Sequence, residues 1–410
     1  MCESQAPSNK LALEPLPYHQ KIRDYLKTEE AEVWRWYASH KVRREHAEAV
    51  RFDLLKSTYR VDPETQPEIY EAAKSVAQRL SLDVPITIYQ AQNPLSLNAS
   101  LAYIPDEAHV VLHGAISSKL NAAEVRALLA HELSHFALWQ HWDGEYSIVD
   151  QILSALTHDR LADTPHFASA RLFGLYSEIF CDRGSLLAVD DPLAVVSMLV
   201  KVSTELEEVS AESYIRQAEE VFSRKAVKAD NLTHPEAFIR ARAIKLWSEG
   251  DYEADSKVEE MIEGRPALND LDLLAQTIIS GLTRRLVDVF LSPKWMQSDT
   301  VLAHARLFFE DYVAPESIRE DPSLADDIKT DDEPMRDYYC YVLLDFVTSD
   351  RDLEEYPLAS ALKLSEQLGI KDRFAEIAAR ELRLRKKQLQ KIDQDKNNLL
   401  AKAGQDTGSP

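Results

Sequence analysis

Apolar residues recur at helical spacing along most of this chain and alternate in only one short region. Across residues 18–59, Ile22, Leu26, Val33, Trp36 and Tyr37 stand at helical intervals among many charges, which predicts helix. A break at 61–67 ends in Pro67, a residue suited to a first helical turn, and Ile69, Ala73, Val76 and Leu80 then mark an amphipathic helix over 68–81. Residues 84–90, 97–104 and 109–113 are β-branched and aromatic-rich, short and separated by turns. They predict three strands in an antiparallel meander. Helical spacing resumes after Asn121, an N-cap with Glu124 three residues on, in a helix expected to reach about Trp142. Further helices are predicted over 167–188, from Pro192, after the turn that opens at Asn231, twice between 251 and 310, and over 338–396.

The expected fold class is therefore α+β and predominantly helical, with a small antiparallel three-stranded sheet and a helical C-terminal region. The expected divisions are a disordered N-terminus (1–17), an N-terminal helical segment (18–66), a main domain (67–250), a helical extension (251–309), a linker (310–337) and a helical domain (338–400). The linker is assigned on charge. Over 310–337 acids outnumber bases eleven to three, with Pro315, Pro322 and Pro334 interspersed.

One helical run carries chemistry. His131-Glu132-Leu133-Ser134-His135 lies in an apolar stretch free of Gly and Pro. Residues four apart on a helix differ by about 40° and about 6 Å, so the two imidazoles address one point. Glu132, one step round, can reach a water there but not the ion itself. This is the pattern of a zinc hydrolase with Glu132 as general base.

The totals narrow the context. A net charge of −22 over 410 residues argues against nucleic-acid binding and against anionic membrane surfaces. The three cysteines, Cys2, Cys181 and Cys340, form no Cys-x-x-Cys pair and read as reduced thiols. No signal peptide or membrane-inserting span is apparent, since the most apolar runs are interrupted by charges. The expectation is a soluble, cytoplasmic protein.

A catalytic zinc site needs a third protein ligand, and the sequence offers two. His141 completes the metzincin spacing, but that motif turns the chain at a Gly where this sequence has Leu138. A continuing helix would carry His141 about 120° and about 9 Å from His135. Glu178, with Asp182 four residues later on the same helical face, would complete a His₂Glu site, with Asp182 fixing a ligand histidine.

The order of motifs here resembles the CAAX prenyl-protease/HtpX-like family of zinc metallopeptidases, which are gluzincins. The resemblance is carried by Asn98-Ala99, by residues 110–116, by the His131–His135 motif, by Glu178 with Asp182-Arg183, and by His234-Pro235 with Arg240. It implies a zincin-like protease domain holding one zinc ion on His131, His135 and Glu178, with Glu132 as base. Asp182 would support a ligand, His234 would stabilise the oxyanion, Arg240 would order the ligand Glu or its neighbours, and Asn98 would hold substrate main chain. Ser100 and Cys181 stand where the family usually has Phe and Ala. The transmembrane helices of its membrane members are missing, which points to a soluble branch. Asp350-Arg351-Asp352-Leu353, between helices, is similar to the turn of a TerB-like helical domain, an interaction module that could take a protein partner.

The function expected is a zinc-dependent endopeptidase acting on polypeptides. The alternative is a zinc-binding adaptor or chaperone-like protein with little proteolysis. An aminopeptidase would need an acidic anchor for a free amine, and no motif for one stands near residue 98.

Overall fold

The structure is a computed structural model describing residues 13–92, 97–158, 163–224, 227–231, 233–264, 267–330 and 332–406. Most of the segment expected to be disordered, residues 1–12, lies outside them. The chain divides into two compact units, 1–265 and 266–410.

The first unit opens with α1 (Pro17–Glu29), α2 (Ala31–Tyr37) and α3 (His40–Ser57), then a short strand β1 (Thr58–Arg60). After α4 (Pro67–Arg79) come β2 (Ile86–Ala91), β3 (Asn98–Ile104) and β4 (Glu107–His113). The sheet is four-stranded and mixed, in the order β1-β2-β4-β3, so the three-stranded antiparallel meander is corrected. β4 runs parallel to β2 and antiparallel to β3, and β1 adds antiparallel to β2. The reason lies in the side chains. Residues 108–112 of β4 are buried on both faces, which suits a central strand, whereas β3 exposes Asn98 and Ser100 and takes an edge.

A short α5 (Ile116–Lys119) leads to α6 (Ala122–His158). Asn121 caps it, accepting from the Ala123 and Glu124 N–H groups at 2.9 and 3.0 Å, while Glu124 Oε2 accepts the Asn121 N–H at 2.8 Å. The helix is bent where His141, Trp142, Asp143 and Gly144 leave helical geometry, the last three in left-handed conformations. A Cβ at Gly144 would stand 3.2 Å from the Arg43 guanidinium and 3.3 Å from the Tyr103 hydroxyl.

α7 (Thr164–Val189) lies against α6 along much of its length. Contact is close at Gly184, where any Cβ would collide with the buried Ser134 side chain. The outer side of α7 holds α1: His19 is fully buried among Tyr146, Phe173, Tyr176 and Phe180, and burial lowers its pKa to about 3.

α8 (Pro192–Thr204) is tied to the start of α6 by a buried ion pair, Lys201 Nζ to Glu124 Oε2 at 2.9 Å, and by the Ser197 hydroxyl donating to Glu124 at 2.6 Å. α9 (Ala211–Arg224), α10 (Ala237–Ser248) and α11 (Ala254–Glu263) complete the unit. No helix among the described residues is long and apolar enough to cross a membrane.

The second unit contains α12 (Leu273–Phe290), α13 (Asp299–Phe308), α14 (Leu324–Asp327), α15 (Glu333–Ser349), α16 (Tyr356–Gln367), α17 (Lys371–Glu381) and α18 (Lys386–Asp406) around one apolar core. The acidic stretch 310–337 is part of that core and not a free linker. Tyr312, Leu324, Ile328 and Met335 are buried in it, and Arg284 and Arg285 of α12 pair with Asp311, Asp321 and Asp327. Asp350 spends its carboxylate on local structure, accepting from the Asp352 N–H at 3.0 Å and the Ser298 hydroxyl at 2.6 Å.

Candidate active site

The first half of α6 brings His131, Glu132 and His135 to the floor of a cleft of about 650 Å³, walled by β3, α8, α7 and the segment leading into α10. Glu178 of α7 sits between the imidazoles, with its Oε2 3.3 Å from His131 Nε2 and its Oε1 3.4 Å from His135 Nε2. His234 Nε2 is 3.5 Å from the same Oε1, and an Arg240 nitrogen is 3.4 Å from Oε2. Behind His131, Asp182 Oδ1 lies 3.2 Å from Nδ1 and holds the ring with Nε2 facing Glu178. Arg240 grips Asp182 with two bonds of 2.7 and 2.6 Å, from the first turn of α10. Asn98 is exposed on the edge strand at the cleft wall.

The donor set fits a zinc ion. Tetrahedral ligands at about 2.0–2.2 Å from zinc stand about 3.3–3.5 Å from one another, the range of the two histidine–Glu178 separations. Glu178 Oε2 is buried and makes no hydrogen bond, only the longer ion-pair contacts to His131 at 3.3 Å and Arg240 at 3.4 Å, which leaves it able to take a metal ion. Burial alone would depress the His131 pKa, but Glu178 and Asp182 raise it to about 10, so a positive charge belongs between these groups. Burial would likewise raise Glu178, yet His131, with His135 and Arg240, holds it well below the usual carboxylate range. A divalent cation suits the place that a proton on Nε2 otherwise takes.

Cys181 is a competing donor, because its sulfur and one nitrogen of each histidine lie within 4.8 Å of one another. Burial pushes this thiol well above its ordinary pKa, and Glu178, Glu132 and Asp182 push the same way. A metal takes the thiolate, which this setting disfavours. His141 is placed at the bend of α6, its ring against Trp142 and Tyr146, and it does not line the cleft.

Glu132 is buried, and burial raises its pKa. The segment just before His234 is held by α7 and α11: Arg171 donates to the Ala229 and Asn231 carbonyls, and the Ala229 N–H bonds Met261 O at 2.8 Å. Sequence reasoning missed Trp139, whose ring lies 5.5 Å from that of His135. Its place one turn after His135 was a usable signal. It also missed Asp150, a carboxyl that burial pushes up to about 6 while the charge of His135 pulls it down. No local signal marks Asp150, because only the bend of α6 brings it near.

Residues 63–248, which contain the whole of this cluster, match the model of Peptidase family M48. This part of the chain is thus similar to the metallopeptidases of that family. The chain is also similar to the plastoglobule-localized metallopeptidase 48, chloroplastic, of Arabidopsis thaliana. The two are 26% identical over 197 residues, 42% of this chain and 54% of the relative, so the match spans about half of that protein's length. No solved structure matches the chain.

Proposed function

We propose that this chain is a zinc-dependent endopeptidase that holds one zinc ion on His131, His135 and Glu178. The reading is carried by one observation: two imidazoles and a buried carboxylate converge beside Glu132 in an open cleft with a free strand edge. When bound, zinc would supply a Lewis acid that polarises the scissile carbonyl and acidifies a water.

The chain's own groups do the rest. Glu132, its carboxyl raised by burial, takes the proton of the attacking water and delivers it to the leaving amine. His234 Nδ1 lies 2.9 Å from the Thr233 hydroxyl; with that hydroxyl as donor, the ring proton sits on Nε2, which faces Glu178 Oε1 at 3.5 Å and would turn to the developing oxyanion. Burial lowers the His234 pKa and favours this neutral form. Asp182 and Arg240 are positioning residues that fix His131. Substrate would lie extended along β3, with Asn98 holding its main chain. The second unit is read as an interaction module for a protein partner, and a cytoplasmic location, in keeping with the free thiols of Cys181 and Cys340, belongs to the same proposal.

Digestion of casein and of a mixed peptide library, with and without a chelator, tests the assignment. Cleavage should stop on chelation and return with zinc, and Glu132→Gln should keep one zinc per chain while turnover vanishes. Turnover retained in that variant refutes the mechanism. Zinc held by the wild type without any cleavage would return the adaptor reading.

A further inference from the structure

We infer that the cleft selects polypeptide segments carrying a lysine or arginine, and that Glu205 is the residue that reads it. The inference rests on the endopeptidase reading above and names the substrate class for that site. Around the donors the charges cancel once zinc is bound. The ion and the Arg240 guanidinium together balance the carboxylates of Glu132, Glu178 and Asp182, the imidazoles being neutral. Two further carboxylates, Glu205 and Glu236, line the same cleft, and neither has an ion-pair partner among the described residues. No lysine lines the cleft, and its one arginine is Arg240, already held by Asp182. The loaded cleft is therefore left negative.

Glu205 follows the last residue of α8 and accepts the Leu97 N–H at 3.4 Å. That bond places it beside Asn98, where the edge strand β3 begins. Glu205 is exposed, so a side chain of a substrate lying along the strand edge can reach it at the end of a long stem. Such a site suits the tip of a lysine or arginine better than a terminal amine, which an anchor has to enclose. The neighbouring Glu207 is already occupied, with Lys119 Nζ 2.5 Å away.

Glu236 stands two residues after His234, at the start of α10. Its Oε1 accepts the Asp230 and Asn231 N–H groups, both at 3.0 Å, while its Oε2 is buried with no hydrogen-bond partner. A buried charge is screened less than an exposed one. Glu236 therefore acts on the cleft through its field, and Glu205 supplies the contact. The net charge of −22 adds a longer-range attraction for a cationic chain.

A positional scan decides the matter. The best substrate from the mixed peptide library is remade with both ends blocked and with Lys, Leu or Glu at each position around the scissile bond. At one position the zinc-loaded enzyme should prefer the Lys peptide to the Glu peptide by about 10–100-fold in kcat/KM at low salt. That ratio should fall to about threefold at about 0.5 M salt. Glu205→Gln should lower it about fivefold, Glu205→Lys should invert it, and Glu236→Gln, which keeps an acceptor for the turn, should lower it less. Glu205 is exposed, and circular dichroism confirms that its variants fold. A flat scan, or a ratio unchanged by salt and by Glu205→Lys, overturns the inference. A preference for peptides with a free amino end, lost in Glu205→Lys, assigns the acid to a terminal amine and overturns it as well. If no peptide is cleaved at all, the endopeptidase reading fails, and the subsite is judged separately by binding. Blocked, dye-labelled Lys and Glu peptides are then titrated against zinc-loaded Glu132→Gln by fluorescence anisotropy. Tighter binding of the Lys peptide, lost when Glu205→Lys is added, supports the inference, and equal binding overturns it.

Discussion

Replacing Gly184 by alanine asks whether the donor spacing is set by how closely α7 lies on α6. In an isolated helix the change gains about 1 kcal/mol through propensity. Here the new methyl would overlap the Ser134 hydroxyl and stand 2.7 Å from Ser134 Cβ and 3.0 Å from a Leu13 methyl. Ser134 cannot swing aside, because it is fully buried and its hydroxyl donates to Ala130 O at 2.6 Å. Carbon atoms rest at about 3.5–4.0 Å, so the helices must part locally by about 1 Å. Overpacking of this kind costs about 1–3 kcal/mol, which leaves a net loss of about 0–2 kcal/mol after the propensity gain. The effect on the metal is larger than the effect on the fold. Glu178 stands six residues from Gly184 on α7, and His131 and His135 flank Ser134 on α6. Parting would stretch separations of 3.3 and 3.4 Å towards about 4 Å, beyond what a tetrahedral ion can bridge. Zinc content after dialysis against a competing chelator, with melting temperatures of loaded and chelated protein, measures both effects. The expected outcome is zinc loss with a shift of only a few degrees, and recovery of zinc in Gly184→Ala combined with Ser134→Gly. Unchanged zinc affinity with a raised melting temperature would refute the reasoning.

The remaining predictions concern the donors and the Asp150 carboxyl. Glu178→Ala should lose zinc, whereas His141→Ala and Cys181→Ala should each retain one ion per chain by metal analysis; the reverse pattern would replace the ligand set. Asp150 has its folded pKa raised to about 6 from an ordinary 3.8, so its contribution to stability is complete below pH 3.8 and lost as pH rises through about 6. In chelated protein, Asp150→Asn should therefore gain about 1–3 kcal/mol over wild type at pH 8 and less at pH 5. Urea midpoints at the two pH values check this, and a gain independent of pH would show that Asp150 is not titrating.

What could be read from the sequence was what local periodicity encodes. The run around His131 and His135 shows its helix and its shared face directly, and Asn121 with Glu124 marks where that helix begins. Glu178 and Asp182 could be read as one helical face suited to complete the site, whereas His234 and Arg240 came into view only as ordered motifs, because their proximity depends on how the helices cross. Strand order was hidden for the same reason. Three apolar segments joined by short loops suit a meander, and only the two-sided burial of β4 against the half-polar β3 puts β4 in the middle. β1 was masked by the helical run before it. The acids of 310–337 outvoted Tyr312, Leu324 and Ile328, and their charge is offset by arginines of α12, tens of residues away in sequence.

α7 works on two sides over the same few turns. Glu178 and Asp182 face the histidines of α6, while Phe173, Tyr176 and Phe180 enclose His19 of α1. One inserted or deleted residue would rotate everything beyond it by about 100°. It would turn the two acids away from the imidazoles and take Phe180 out of its contact with His19. Descendants of this chain can exchange side chains along that helix, but its length between Phe173 and Asp182 is held fixed from both faces, so lineage divergence should collect as substitutions there and as insertions only beyond its ends.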